Sequence, residues 1–161
     1  MLDKISERSA KLYSQRSIWV ATYLGGPLAA GILIRRNFVN LGKEQKGKIA
    51  LFIGVIATLL LFVGIFSIPE HIIDKVPNFL IPAIYTMIVH LIVQQTQGQD
   101  LKQHELNKGE FYSGWKAAGI GIFGLVIILA SVFGYSLFAP QDFDTVRYDE
   151  GIVHFNRNEE R

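Results

Sequence analysis

The sequence predicts an all-α integral membrane bundle, and three observations predict it. Ile18–Ile34, Ile49–Ile68, Phe79–Val93 and Ala117–Phe138 contain none of the chain's sixteen Lys and Arg or fourteen Asp and Glu. A charge at the middle of a membrane helix costs about 2.5–3.5 kcal/mol on insertion scales, so segregation this clean reports a lipid solvent. The four runs are apolar on every side, whereas strands of a membrane barrel alternate over about ten positions. Finally, 161 residues hold one membrane domain, taken as 1–140, and a polar tail, 141–161; a second globular unit would need roughly 100 residues more.

The polar lead is seventeen residues long and includes Asp3 and Glu7. It lacks the layout of a signal peptide and no small-residue cleavage site follows, so the first apolar segment is expected to be retained. That segment is interrupted by Gly25-Gly26-Pro27. Pro27 removes a backbone donor and clashes with the carbonyl of Tyr23, and the two glycines resist unwinding least. A kinked span and a re-entrant hairpin that enters and leaves on one face both fit. Charge separates them: with four crossings Lys and Arg divide eight against eight, and with a re-entrant first segment they divide twelve against four. Membrane proteins favour the biased distribution, with the basic side cytoplasmic, but Pro-kinked spans are common and charge bias is a tendency, so four crossings and three both stay open.

Ile49–Ile68 and Ala117–Phe138 are each long enough to cross a core about 30 Å thick. Phe79–Val93 is short, but Pro77 and Asn78 suit a helix start and Gln94-Gln95 extend it into the headgroups, with Pro82 near the first turn. The following stretch, Gln94–Lys116, reads as a solvated loop with an amphipathic turn. In the tail, six acidic residues stand against three basic ones, and 145–148 and 152–155 flank Asp149-Glu150-Gly151 in the pattern of a small β-hairpin.

The second and fourth segments align at an offset of 67, matching Gly47 with Gly114, Ala50 with Ala117, Gly54 with Gly121 and Ala57 with Gly124. The spacing alternates three and four, so each set forms one stripe of small residues along its helix. Such stripes let backbones approach closely in lipid, and the two could face each other. Gly54, Gly121 and Gly124 are the packing candidates. Two unrelated seams or a duplicated two-helix unit would both produce the match.

Chemistry is sparse. A net charge of +2 gives no reason to expect nucleic acid, and the absence of cysteine excludes disulfides, thiolate metal sites and cysteine nucleophiles. His90 is the one histidine within an apolar segment, and Thr86 and Gln94 lie four residues either side of it on the same face. A polar binding site or proton relay is one reading, and a neutral histidine bonded to a neighbouring helix is the plainer one. Glu70, His71 and Asp74 are too few to define a metal site. No P-loop, triad or dinucleotide pattern occurs, so no enzyme activity and no cofactor are predicted.

Leu12-Tyr13-Ser14, the run from Tyr23 through Gly25-Gly26-Pro27 to Gly31, Asn37-Phe38 and Leu41-Gly42 form one block. Gln97-Gly98, His104, Gly109 and Ser113-Gly-Trp115 form a second. Together they resemble a pattern of uncharacterised small multi-spanning bacterial membrane proteins, from about Leu12 to Phe138, although Gly109-Glu110 stands where that pattern has a glycine pair. The resemblance implies a multi-pass protein of the bacterial inner membrane and no known activity. The sequence reading is thus a noncatalytic accessory or structural component whose partners are the lipid bilayer and a membrane protein or a second copy. The alternative is a small transporter or permeation module using Gly25, Gly26, Pro27 and His90.

Overall fold

The computed structural model describes residues 10–73 and 75–138. These contain four long helices, α1 (Gln15–Asn40), α2 (Glu44–Ser67), α4 (Leu80–Leu106) and α5 (Gly114–Phe138), with the single-turn α3 (Glu70–Ile73) between α2 and α4. Among the described residues there is no strand, only one backbone bridge joining Leu12 to Phe111. The tail in which a β-hairpin was expected, and Asp74, lie outside the described residues.

Helix α1 is not a rod. Gly26 has φ 70° and ψ −169°, a conformation essentially confined to glycine, and it interrupts the helical dihedrals on either side. The Asn37 side chain meets the backbone of Tyr13 at 2.7 and 2.9 Å, and Asn40 Nδ2 donates to the Lys11 carbonyl at 2.7 Å. In a straight helix Tyr13 and Asn37 would stand about 36 Å apart. The chain therefore reverses at Gly26, and residues 15–25 and 27–40 are the two arms of a helical hairpin, about 16 and 21 Å long. Ser14 caps the first arm, accepting from Ser17 N–H at 3.2 Å. Gly42, at φ 71°, ends the second in a Schellman arrangement, with Lys43 N–H on the Phe38 carbonyl and Gly42 N–H on that of Val39.

α2, α4 and α5 each pack on α1. The two small-residue stripes do not face each other, because the hairpin stands between them. The α5 stripe takes the first arm: a Cβ on Gly121 would lie 2.9 Å from the Ala21 carbonyl oxygen, and one on Gly124 would lie 2.7 Å from that of Gly25. The α2 stripe takes the second: a Cβ on Gly54 would lie 2.9 Å from the Gly31 Cα and from the Pro27 oxygen. Farther along, Gly64 and Gly134 face open space, and α2 meets α5 through Phe66 and Tyr135, ring centroids 4.8 Å apart. The seams stop where the hairpin stops.

α4 also departs from the sequence reading, since it continues thirteen residues past Val93 instead of yielding to a loop at Gln94. Val93, Gln97 and Leu101 recur every four residues and are all buried, so tertiary packing on one face holds the polar half helical. By length and apolarity Gln15–Asn40, Glu44–Ser67 and Gly114–Leu137 are sufficient to cross a membrane. α1 divides that length between the two arms of the hairpin, and α4 has the length but is apolar only over its first half.

Two substitutions test these backbone assignments. Gly26→Ala should cost about 1–3 kcal/mol, because alanine is forced into a glycine conformation. Gly64→Ala, on a helix surface facing open space, should cost nothing by comparison in the same detergent unfolding assay. At the end of α4, Lys108 occupies the left-handed position (φ 53°) of a second Schellman turn, in which Gly109 N–H reaches the His104 carbonyl at 2.8 Å. Lys108→Gly should raise the unfolding midpoint, by about 0.5–1 kcal/mol in stability.

Candidate functional site

The hairpin has a polar base and an apolar tip. At the base, Asn37 and Gln97 are buried, 0% and 1% exposed. Asn37 Oδ1 accepts from Tyr13 N–H at 2.7 Å, while its Nδ2 donates to the Tyr13 carbonyl at 2.9 Å and to Gln97 Oε1 at 3.3 Å. Gln97 Nε2 in turn donates to the Ile34 carbonyl at 3.0 Å. Two amide side chains thus tie the chain entering the first arm, the second arm and α4. Each bond contributes about 1 kcal/mol net, but a buried group left without its partner costs about 1–3 kcal/mol, so the tie is strong chiefly against disruption.

Around this tie the residues outside the apolar spans form a cap. Leu12 exchanges backbone hydrogen bonds with Glu110 and Tyr112 at 3.2 and 2.8 Å, and the Tyr13 and Tyr112 rings lie 4.6 Å apart. His104 Nε2 lies 3.0 Å from the Glu110 carbonyl, and its ring stands edge-on to Phe111; a Cβ at Gly109 would overlap that ring. Lys43 pairs with Asp100 at 2.6 Å and Lys11 with Glu110 at 2.7 Å. The hydrogen bond between Lys11 and Glu110, and then their charges, raise the ammonium pKa and lower the carboxyl pKa. That contribution is present at neutral pH and fades as pH falls through the carboxylate range, and exposure to solvent keeps it small.

Of the residues singled out in the sequence, Gly25, Gly26 and Pro27 are together at the buried tip, enclosed by Gly121 and Gly124 on one side and Gly54 on the other. The Gly25 and Pro27 carbonyl oxygens lie 2.7 and 2.9 Å from where a Cβ on Gly124 or Gly54 would stand, so this approach admits only glycine. His90 is apart from the tip and half-buried, its Nδ1 at a long 3.5 Å from Gln15 Nε2. Tyr85, at a depth nearer the tip, donates to the Tyr23 carbonyl at 3.2 Å. The face carrying Thr86, His90 and Gln94 runs from buried to exposed and opens at Gln94 into a polar groove of about 970 Å³, lined also by Ser14, Gln15 and Gly98. Thr86 is 1% exposed and its hydroxyl has no hydrogen-bond partner, whereas Thr22, Thr58 and Thr96 each donate to the carbonyl four residues back. No three His, Cys, Asp or Glu gather in metal-binding geometry among the described residues.

Tyr13, Asn37 and Gln97 entered the sequence reading only as positions of the resemblance pattern, without a role, and Gln15 not at all. The available signal was the recurrence of Val93, Gln97 and Leu101, which marks Gln97 as inward-facing. Asn37 has no comparable mark, since its partner is a backbone twenty-four residues away. Comparison with known protein families, with curated proteins and with solved structures finds no match, so the fold and the site rest on this chain's own geometry.

Proposed function

We propose that the chain is a multi-pass protein of the cell membrane in which α2, α4 and α5 cross and the α1 hairpin dips in and returns to the same face. Its role is noncatalytic: an accessory or structural component that packs in the bilayer against another membrane protein or a second copy. The observation that carries this reading is an inside-out distribution of side chains. Phe52, Leu60 and Phe133 are each 66% exposed along α2 and α5, while Asn37, Thr22 and Gln97 are turned inward. In water such a surface would far exceed the patches that monomers tolerate, and in hydrocarbon it costs nothing. Lys and Arg support the orientation. Ten of those in the described residues, from Lys11 and Arg16 to Lys108 and Lys116, belong to the end where the hairpin is tied, and Lys75 alone belongs to the other. The tied end is accordingly assigned to the cytoplasm. The resemblance to small bacterial membrane proteins supports the inner membrane as the location.

Affinity purification in mild detergent tests the role: a stoichiometric membrane partner or a defined homo-oligomer is expected, and an inert monomer would overturn it. The second reading, a small permeation module, is favoured by the unpartnered Thr86 hydroxyl at the closed end of the face that leads through His90 to the polar groove. It predicts pH-dependent solute flux in proteoliposomes that disappears in His90→Ala.

A further inference from the structure

The geometry points to a binding site for an anionic phospholipid in the groove between α2 and α4, one acyl chain lying along the hairpin and the phosphate beside Lys46. The inference rests on the membrane reading above. α2 and α4 are held apart by the second arm of α1, which floors a cavity of about 770 Å³ from Pro27 to Phe38. Its walls are Ile53 of α2 and Ile88 of α4, each more than half exposed, with Leu60 and Tyr85 at the inner end.

Length and charge decide the occupant. The floor exists only as far as the hairpin reaches, twelve residues from Phe38 to Pro27, a rise of about 17 Å. One leaflet of the hydrocarbon core is about 15 Å deep, so the groove has the length of a single leaflet's acyl chain. The mouth is at the basic end of the bundle. Lys43 is held by Asp100 there, whereas Lys46 has no ion pair among the described residues, and Gln95 and Thr96 line the same end. Basic pockets between membrane helices at the cytoplasmic side bind anionic headgroups by this combination of point charge and apolar slot.

The test uses the full chain in mild detergent, offered equal amounts of phosphatidylglycerol and phosphatidylcholine with identical acyl chains, with retained lipid read by native mass spectrometry. Wild type should retain phosphatidylglycerol preferentially. Lys46→Glu should reduce that preference about fivefold or more. Ile88→Trp and Ile53→Trp, which fill the slot from opposite walls at exposed positions, should reduce retention of both lipids. Equal retention of the two lipids by wild type, undiminished retention in both tryptophan variants, or a second copy seated in the groove would overturn the inference. Resistance of wild type to alkaline extraction from membranes is measured alongside. Loss of that resistance defeats the membrane reading itself, whereas lipid parity in a resistant protein defeats only the lipid site.

Discussion

Gly25→Ala should destabilise the protein by about 3 kcal/mol, and Gly25→Leu should prevent assembly of the bundle. A Cβ at Gly25 would overlap the Gly121 carbonyl oxygen and lie 2.9 Å from both the Gly121 Cα and the Ala29 Cβ. Two of those three neighbours are backbone atoms, which cannot rotate out of the way, so the first arm and α5 must separate. Overpacking a well-fitted core costs about 1–3 kcal/mol, and here separation also uncovers the seam from Ala21 to Gly124. Gly119→Ala is the matched control, since it adds the same methyl to α5 where no atom lies within 4 Å. Unfolding in graded denaturing detergent should place Gly119→Ala at or above wild type and Gly25→Ala far below it. Equal midpoints would remove the close approach from the account.

The second large effect is expected at Asn37. Asn37→Leu leaves the Tyr13 N–H, the Tyr13 carbonyl and Gln97 Oε1 without partners inside the protein, so a loss of about 3–5 kcal/mol is expected. Gln97→Leu should be milder, about 1–2 kcal/mol, because Asn37 keeps both of its bonds to Tyr13. The order separates a backbone tie from a general need for polarity at the interface: if Gln97→Leu were the worse of the two, Asn37 would not be the centre of the network. Limited proteolysis before Gln15 gives a second readout, since release of Tyr13 should expose the entering chain in Asn37→Leu and leave it protected in Gln97→Leu.

These two sites mark what was legible in the sequence and what was not. The apolar segments were legible because exclusion of charge is a property of each residue alone; α2 and α5 end within one residue of them but begin five and three residues earlier. Gly25-Gly26-Pro27 identified itself by composition, and Gly26 is where the dihedrals depart from helix. How far the chain turns there is fixed by a hydrogen bond between residues 13 and 37, and no local pattern encodes a contact so distant. The small-residue stripes were visible but their partner was not: a seam marks a close approach without naming what approaches, and each fits one arm of the same hairpin. The polar half of α4 was hidden for the opposite reason. Gln94, Gln99, Lys102 and Gln103 suit a solvated loop as well as a helix, and only burial of every fourth residue against the hairpin selects the helix.

If the hairpin account is right, the amino-terminal approach to α1 and the α1–α2 connection lie on one face of the membrane, and the α3 region lies on the other. The chain has no cysteine, so Ala10→Cys, Gln45→Cys and Asn78→Cys can each be labelled singly in intact cells and in inverted vesicles with a membrane-impermeant maleimide. Ala10 and Gln45 should react together in inverted vesicles, and Asn78 in intact cells. Labelling of Ala10 and Gln45 from opposite sides would mean that α1 crosses the membrane, and would contradict the account.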